Sequence, residues 1–300
     1  MNPNDPTTPD GAGGTLAGKP QEWIGRAFGN FRVLDVIGEG GMGWVFKAAD
    51  PQRPVPVALK VPRAGRLCSE AARKRIRQEI HASQKMTHRS VVRVFEHGEI
   101  DGVPYYTMEF IEGDPLSRWI AEQNPTLEQR LAVFTEVCRS IASFHKKNLM
   151  HRDLKPENLM LDGDGDIRIL DFGLAKFEHE ESGLTLGETV LGSLHCMAPE
   201  QTGTGEKPGK PADVYALGMI GCWLLTHAYP YSLSGLSEAE KIQTIRHAQP
   251  KLPSEMNPEL NPAWDDILLR CLAKNPAQRP ATAEILLRKM ETLDLPRPER

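Results

Sequence analysis

The sequence predicts an α+β chain in which strands come first and helices follow. Three observations predict it. Residues 33–60 alternate apolar runs with turn signals, as a strand meander does. Residues 127–147 carry the spacing of an amphipathic helix, and the apolar run Val214–Thr226 reads as a buried helix too short to span a bilayer. Three hundred residues suit two lobes sharing a cleft, or one large domain.

Composition narrows the class. Hydrophobic and charged fractions of 40% and 25% are those of a globular protein with a real core. A net charge of −4 leaves no electrostatic footprint for nucleic acid or an anionic membrane. Five cysteines lie far apart with no C-x-x-C pair, which implies neither a disulfide framework nor a zinc site and fits a reduced, cytoplasmic setting. Residues 1–25 are rich in Pro, Gly, Thr and Asp, lack an apolar run, and read as a disordered leader.

Within the meander lies Gly38-Glu39-Gly40-Gly41-Met42-Gly43-Trp44-Val45. Glycines let a backbone approach a triphosphate and offer it amide donors. Alone, this pattern also opens dinucleotide-binding domains, but those need a helix straight after it, and here Val45-Phe46-Lys47-Ala48 continues as a strand. In the next strand Val55, Val57 and Leu59 share one face, which leaves Ala58 and Lys60 on the other. Ser69 then N-caps a helix whose Ala72, Ile76, Ile80 and Met86 fall on one face with Glu79 at its edge. An inward carboxylate is costly unless paired, and Lys60 is the available partner.

The densest chemistry is His151-Arg152-Asp153-Leu154-Lys155-Pro156-Glu157-Asn158, followed by Asp171-Phe172-Gly173. Asp153 can accept a proton from an attacking hydroxyl, and Lys155 can sit against a phosphate in transfer. Asn158 and Asp171 offer oxygen ligands for Mg²⁺. Asn158–Leu161 and Ile167–Leu170 read as paired strands around the turn 162–166. That acidic turn is no EF-hand, since its twelfth position is Gly173.

Taken together, these motifs resemble the Hanks-type protein serine/threonine kinases, closest to the bacterial members, over residues 31–290. The resemblance implies a bilobal protein-kinase fold: a small antiparallel β-sheet lobe with one key helix (31–110), a hinge (109–115), a larger mainly helical lobe (116–290) and a tail (291–300). It implies ATP, Mg²⁺ (with Mn²⁺ as a substitute), and proteins with Ser or Thr acceptors as partners. No nucleic acid and no membrane span are expected, and a dimer for autoactivation is compatible. Gly38, Glu39, Gly40, Gly41 and Gly43 would cover the phosphates, which Lys60 would contact with Glu79 holding it. Val45, Ala58 and Met160 would sandwich adenine, Met108 would guard the back of the pocket, and the backbone of Glu109 and Ile111 would bond the base.

The same resemblance makes residues 171–200 the activation loop, closed by Ala198-Pro199-Glu200, with Thr189 and Thr185 as phosphosites and Arg152 as the phosphate's receiver. Ser193 matches the residue that touches the base and the lysine. Glu200 with Arg279 matches a buried ion pair, and Asp213 the residue that holds the catalytic loop's backbone. The chain departs from the family at Ser193-Leu194-His195-Cys196-Met197, where Thr-Pro-x-Tyr-Met is usual, so peptide specificity does not carry over there. Cys196 reads as packed, with a redox-sensitive thiol as the alternative. Pro115 and Trp223 stand where kinases of basic substrates often carry acids. Two rivals remain. A pseudokinase scaffold usually lacks one of Lys60, Glu79, Asp153, Asn158 or Asp171, and small-molecule phosphotransferases lack the long segment ending in Ala-Pro-Glu.

Overall fold

The computed structural model describes residues 19–40, 43–62, 88–170, 194–203 and 208–293. They form two compact units. The first holds the described residues before His88 together with Arg93–Phe110. The second holds His88–Val92 and the described residues from Ile111 on.

The first unit is one antiparallel sheet. Its strands are β1 (Ala27–Phe28), β2 (Phe31–Gly40), β3 (Gly43–Ala49), β4 (Val57–Pro62), β5 (Val94–Ile100) and β6 (Val103–Glu109), in the order β1-β2-β3-β4-β6-β5. Alternation builds it. Phe46, Ala48, Val57, Leu59 and Val61 lie on one face and join Phe28, Phe31 and Val33 in a core. Two readings need adjusting. Val55 precedes β4 rather than sharing its buried face, and it is 60% exposed. Residues 20–23, inside the expected leader, form a 3-10 turn whose Trp23 packs edge-on against Phe28, ring centroids 6.3 Å apart. The helix expected over 69–86 lies outside the described residues.

The second unit is mainly helical: α1 (Leu116–Gln123), α2 (Leu127–Lys146), α3 (Lys210–Thr226), α4 (Glu238–His247), α5 (Pro253–Met256), α6 (Ala263–Cys271) and α7 (Ala283–Glu291). It also carries a small antiparallel sheet of β7 (Gly113–Pro115), β8 (Leu159–Asp162) and β9 (Ile167–Ile169). A capping box starts α2: Thr126 Oγ1 accepts the Gln129 amide at 3.2 Å, and Gln129 Oε1 accepts the Thr126 amide at 2.8 Å. The apolar run forms α3, buried nearly all round. It packs closely because Gly221 has no side chain; a Cβ there would meet the Phe134 ring and Leu268 at 2.7 Å. Arg130, buried on α2, donates to the carbonyls of Leu224 and Leu225 and so satisfies the end of α3. Among the described residues no helix is long and apolar enough to cross a membrane.

Candidate active site

The register of the large sheet gathers the first group of candidates. Val45 pairs with Lys60, Lys47 with Ala58, Ala58 with Met108, and Lys60 with Tyr106. Directly paired residues share a face. Val45, Ala58, Lys60 and Met108 therefore line the side of the sheet opposite its Phe46 core. Lys60 Nζ stands 5.5 Å from the centroid of the Tyr106 ring. Beside them the β2–β3 hairpin brings Gly38 opposite Val45, Glu39 opposite Trp44, and Gly40 opposite Gly43. Gly43 adopts φ +148°, a value that favours glycine. Gly41 and Glu79 lie outside the described residues.

Two positions refine the adenine reading. The Glu109 amide donates to the Arg93 carbonyl at 2.8 Å, so it is the carbonyl of Glu109 that an adenine assignment would use. Ile37, which sequence reasoning missed, is 43% exposed at the irregularity of β2 just before Gly38. Its signal was available: an apolar residue directly ahead of the first glycine. In the second unit Ile111 is buried, and Met160 is half-buried between the fully buried Leu159 and the buried Leu161.

The loop between α2 and β8 carries the second group. The Asp153 carboxylate is 8% exposed, and its Oδ2 lies 3.0 Å from Lys155 Nζ. Asn158 Nδ2 donates to the Asp153 carbonyl at 2.8 Å and lies 3.4 Å from Asp153 Oδ2. His151 accepts the Asp153 amide on Nδ1 at 3.3 Å, which leaves Nε2 to donate to the Leu170 carbonyl at 3.2 Å. One neutral tautomer satisfies both contacts.

Asp213, at the start of α3, holds this loop. Its Oδ2 accepts the His151 amide and its Oδ1 the Arg152 amide, both at 2.8 Å. Burial alone would raise this carboxyl, but the hydrogen bond from His145, the electrostatic pull of the His151 and His145 rings and the Arg152 amide outweigh burial and hold it below its usual value. Sequence reasoning missed His145, because nothing in the spacing links the end of α2 to the start of α3.

The stretch after the loop ends in Leu194–Cys196 and Pro199–Thr202, both 3-10 turns. Glu200 meets Arg279 in a buried two-pronged pair at 2.7 and 2.8 Å, as the resemblance implies. Cys196 is buried, and burial pushes its thiol well up, which favours the packed reading over the reactive one. The His195 ring stacks on Tyr229, centroids 4.5 Å apart. Asp171, Thr185, Thr189 and Ser193 lie outside the described residues.

Whether Mg²⁺ suits this loop turns on the donors present. The nitrogen of the Asn158 amide is committed to Asp153, so its oxygen, which has no hydrogen-bond partner among the described residues, is the end available to a hard cation. The donor set fits.

Comparison with known proteins agrees with this geometry. The protein kinase domain family matches residues 31–290. The chain is 32% identical over 262 residues to the serine/threonine-protein kinase PrkC of Bacillus subtilis (strain 168), covering 86% of this chain and 40% of that protein. It is 33% identical over 286 residues to the serine/threonine-protein kinase pkn3 of Myxococcus xanthus, covering 91% and 52%. The crystal structure of the PknI kinase domain of Mycobacterium tuberculosis superposes with a TM-score of 0.68 at 26% identity, covering 89% of this chain and 98% of that one. The chain spans about half the length, or less, of these two curated relatives.

Proposed function

This chain belongs to the protein kinase domain family, of the Hanks type and bacterial in character, and from that premise we propose that it transfers the γ-phosphate of ATP to Ser and Thr hydroxyls of proteins. The observation that carries the reading is the catalytic loop: a nearly buried Asp153 carboxylate, Lys155 Nζ at 3.0 Å, and the Asn158 amide tied to the same aspartate. A base must sit within hydrogen-bond reach of the hydroxyl it serves, and a cation beside it offsets charge on the phosphoryl group.

In this reading Asp153 orients the acceptor hydroxyl and takes its proton. Lys155 sits against the phosphoryl oxygens. Val45, Ala58, Met108 and Met160, with Ile37 added, bracket adenine, and the Glu109 carbonyl and Ile111 amide bond its edge. Gly38, Glu39, Gly40, Gly41 and Gly43 cover the phosphates, and Lys60 contacts them with Glu79 as its partner. Asn158 and Asp171 would hold Mg²⁺, which when bound neutralises charge on the β- and γ-phosphates. Ser193 assists near the base, and phosphorylation at Thr189 or Thr185 would order the segment against Arg152.

The domain boundaries (31–110 and 116–290 joined by 109–115), a cytoplasmic setting and a dimer for autoactivation belong to the same proposal. Among the described residues four cysteines are free and buried, which supports the reducing setting.

The test is purified protein with Mg²⁺ and ATP, mapped by mass spectrometry, with Asp153→Asn as control. Phosphate on Thr189 or Thr185 in the wild type alone is the expected result. ATP binding without transfer to the chain or to a generic protein substrate would point to an upstream activator. Failure to bind ATP would sink the kinase reading in favour of a scaffold.

A further inference from the structure

Arg152 has φ +67°, the left-handed region that a side chain such as arginine rarely adopts. Such a conformation persists only where neighbours over-determine it. Here two groups do. The Arg152 amide donates to Asp213 Oδ1 at 2.8 Å, which fixes the peptide between His151 and Arg152. The Arg152 carbonyl accepts from Gln201 Nε2 at 3.0 Å, which fixes the next peptide, the one whose nitrogen belongs to Asp153.

Gln201 does this while engaged elsewhere. Its Oε1 accepts the Ala198 amide at 3.1 Å. A primary amide supplies a donor and an acceptor on one planar group, so one side chain joins the backbone ahead of Asp153 to the backbone after Met197. A small pocket lined by Arg152, Asp153, Cys196, Met197, Gln201 and Asp213 lies beside the clamp. The Asp153 amide also makes a longer contact to His151 Nδ1 at 3.3 Å.

We infer that Gln201 is a positioning residue for Asp153: it fixes the Arg152–Asp153 peptide and couples the aim of the carboxylate to the segment 194–198. The inference rests on the reading of Asp153 as the base. Asp213 holds one peptide and Gln201 the other, so neither substitutes for the other. A displacement of the Ala198 backbone would reach Asp153 through one side chain.

Two variants separate the contacts. Gln201→Met loses both hydrogen bonds at similar volume. Gln201→Glu keeps an oxygen for Ala198 but turns a carboxylate toward the Arg152 carbonyl. The measurements are kcat and KM on a peptide, the melting temperature, and hydrogen exchange of the Asp153 amide by NMR. Expected are a fall in kcat of roughly tenfold or more in both variants, since small misplacements of a reacting group are costly in rate. KM for ATP should stay within about twofold, both variants should melt close to wild type, and Asp153 should exchange faster in both. A merely structural role would lower the melting temperature and leave kcat per folded molecule alone. Wild-type kcat in both variants, or lowered kcat with unchanged Asp153 exchange, would overturn the inference. If the wild type neither bound ATP nor transferred phosphate, the proposed function would fall, and exchange alone would decide: faster in both variants sustains the clamp, unchanged removes it.

Discussion

His145 Nε2 donates to Asp213 Oδ2 at 3.1 Å, because its Nδ1 is already engaged in accepting the Ala283 amide at 3.1 Å. The first amide of α7 therefore sets the tautomer of a histidine on α2, and that histidine completes the shell of the carboxylate that holds the catalytic loop. Asp213 thus receives three donors: His145, the His151 amide and the Arg152 amide.

Asp213→Asn should cost stability and should do so in a pH-dependent way. The amide turns a donor toward one of three donors, and a buried polar mismatch costs roughly 1–3 kcal/mol. The Asp213 carboxyl sits below its usual value in the folded state. A depressed carboxyl stabilises the fold fully above its unfolded pKa of about 3.9, and the stabilisation drains as pH falls through the lower folded value. The gap in melting temperature between wild type and Asp213→Asn should be constant from neutral pH to about 5 and shrink below about 4. A gap that widened on acidification would contradict this account.

Arg279→Ala should lose folded protein before it loses specific activity. All five guanidinium N–H groups have acceptors: two on Glu200, and the carbonyls of Ala273, Pro211 and Lys274. The pair is 0% and 4% exposed, so removing the cation strands a buried carboxylate. Breaking such a pair costs about 3–5 kcal/mol, which for a domain of this size is a drop of roughly 6–20 °C in melting temperature. Lysine, a point charge without the fork, should rescue only part of it. Equal melting of Arg279→Ala and wild type by scanning calorimetry would show that the pair is not what secures this corner.

Much of this arrangement was legible in the sequence and some of it was not, for physical reasons. The faces of β4 follow from period-two alternation, which is why Ala58 and Lys60 were placed together, whereas Val45 joined Ala58 only through the resemblance. Val55 fails because alternation does not mark where pairing begins. The Glu200–Arg279 and Asp213 contacts came from family resemblance, since partners 79 and 62 residues apart leave no local trace. His145 and Gln201 had neither signal. Gln201 acts through backbone groups of distant segments, which have no side chain to read, and His145 meets a distant backbone amide and an aspartate 68 residues away. Trp23 was hidden by the polar composition around it, although one aromatic ring is enough to pin a turn onto a core.

Lys274 should give the stability curve a second feature at alkaline pH. Its ammonium donates to the Tyr231 hydroxyl at 2.9 Å and the Ile245 carbonyl at 2.7 Å. Burial, with the Arg279 charge behind it, brings it down to about 8. The unfolded lysine titrates near 10.4, so between these values the unfolded chain binds more protons and stability rises with pH. The cost of the buried charge is fully present below about 8 and relieved above it. Against Lys274→Met, wild-type stability in urea should therefore climb from pH 8 to about 9.5. Tyr231, pushed up to about 12, works the other way at higher pH but is common to both proteins. Parallel curves across that window would refute the assignment.

Asp153 and Lys155 should behave as one unit. Their charged atoms lie 3.0 Å apart with side chains 8% and 16% exposed, so each sets the other's position as well as its charge. Asp153→Asn removes the proton acceptor and should lower kcat by roughly 10²–10⁴, the usual contribution of a placed base. Lys155→Met removes the cation beside the phosphoryl group and should cost roughly 10²-fold, in the range of a single electrostatic stabiliser. Once the base is gone, the lysine has little left to stabilise. The double variant should then be about as slow as Asp153→Asn alone, as groups that act together are strongly non-additive. Initial rates on one peptide, at saturating ATP and with melting temperatures checked, provide the cycle. Multiplicative losses would mean that Lys155 acts on the nucleotide independently of the proton transfer at Asp153.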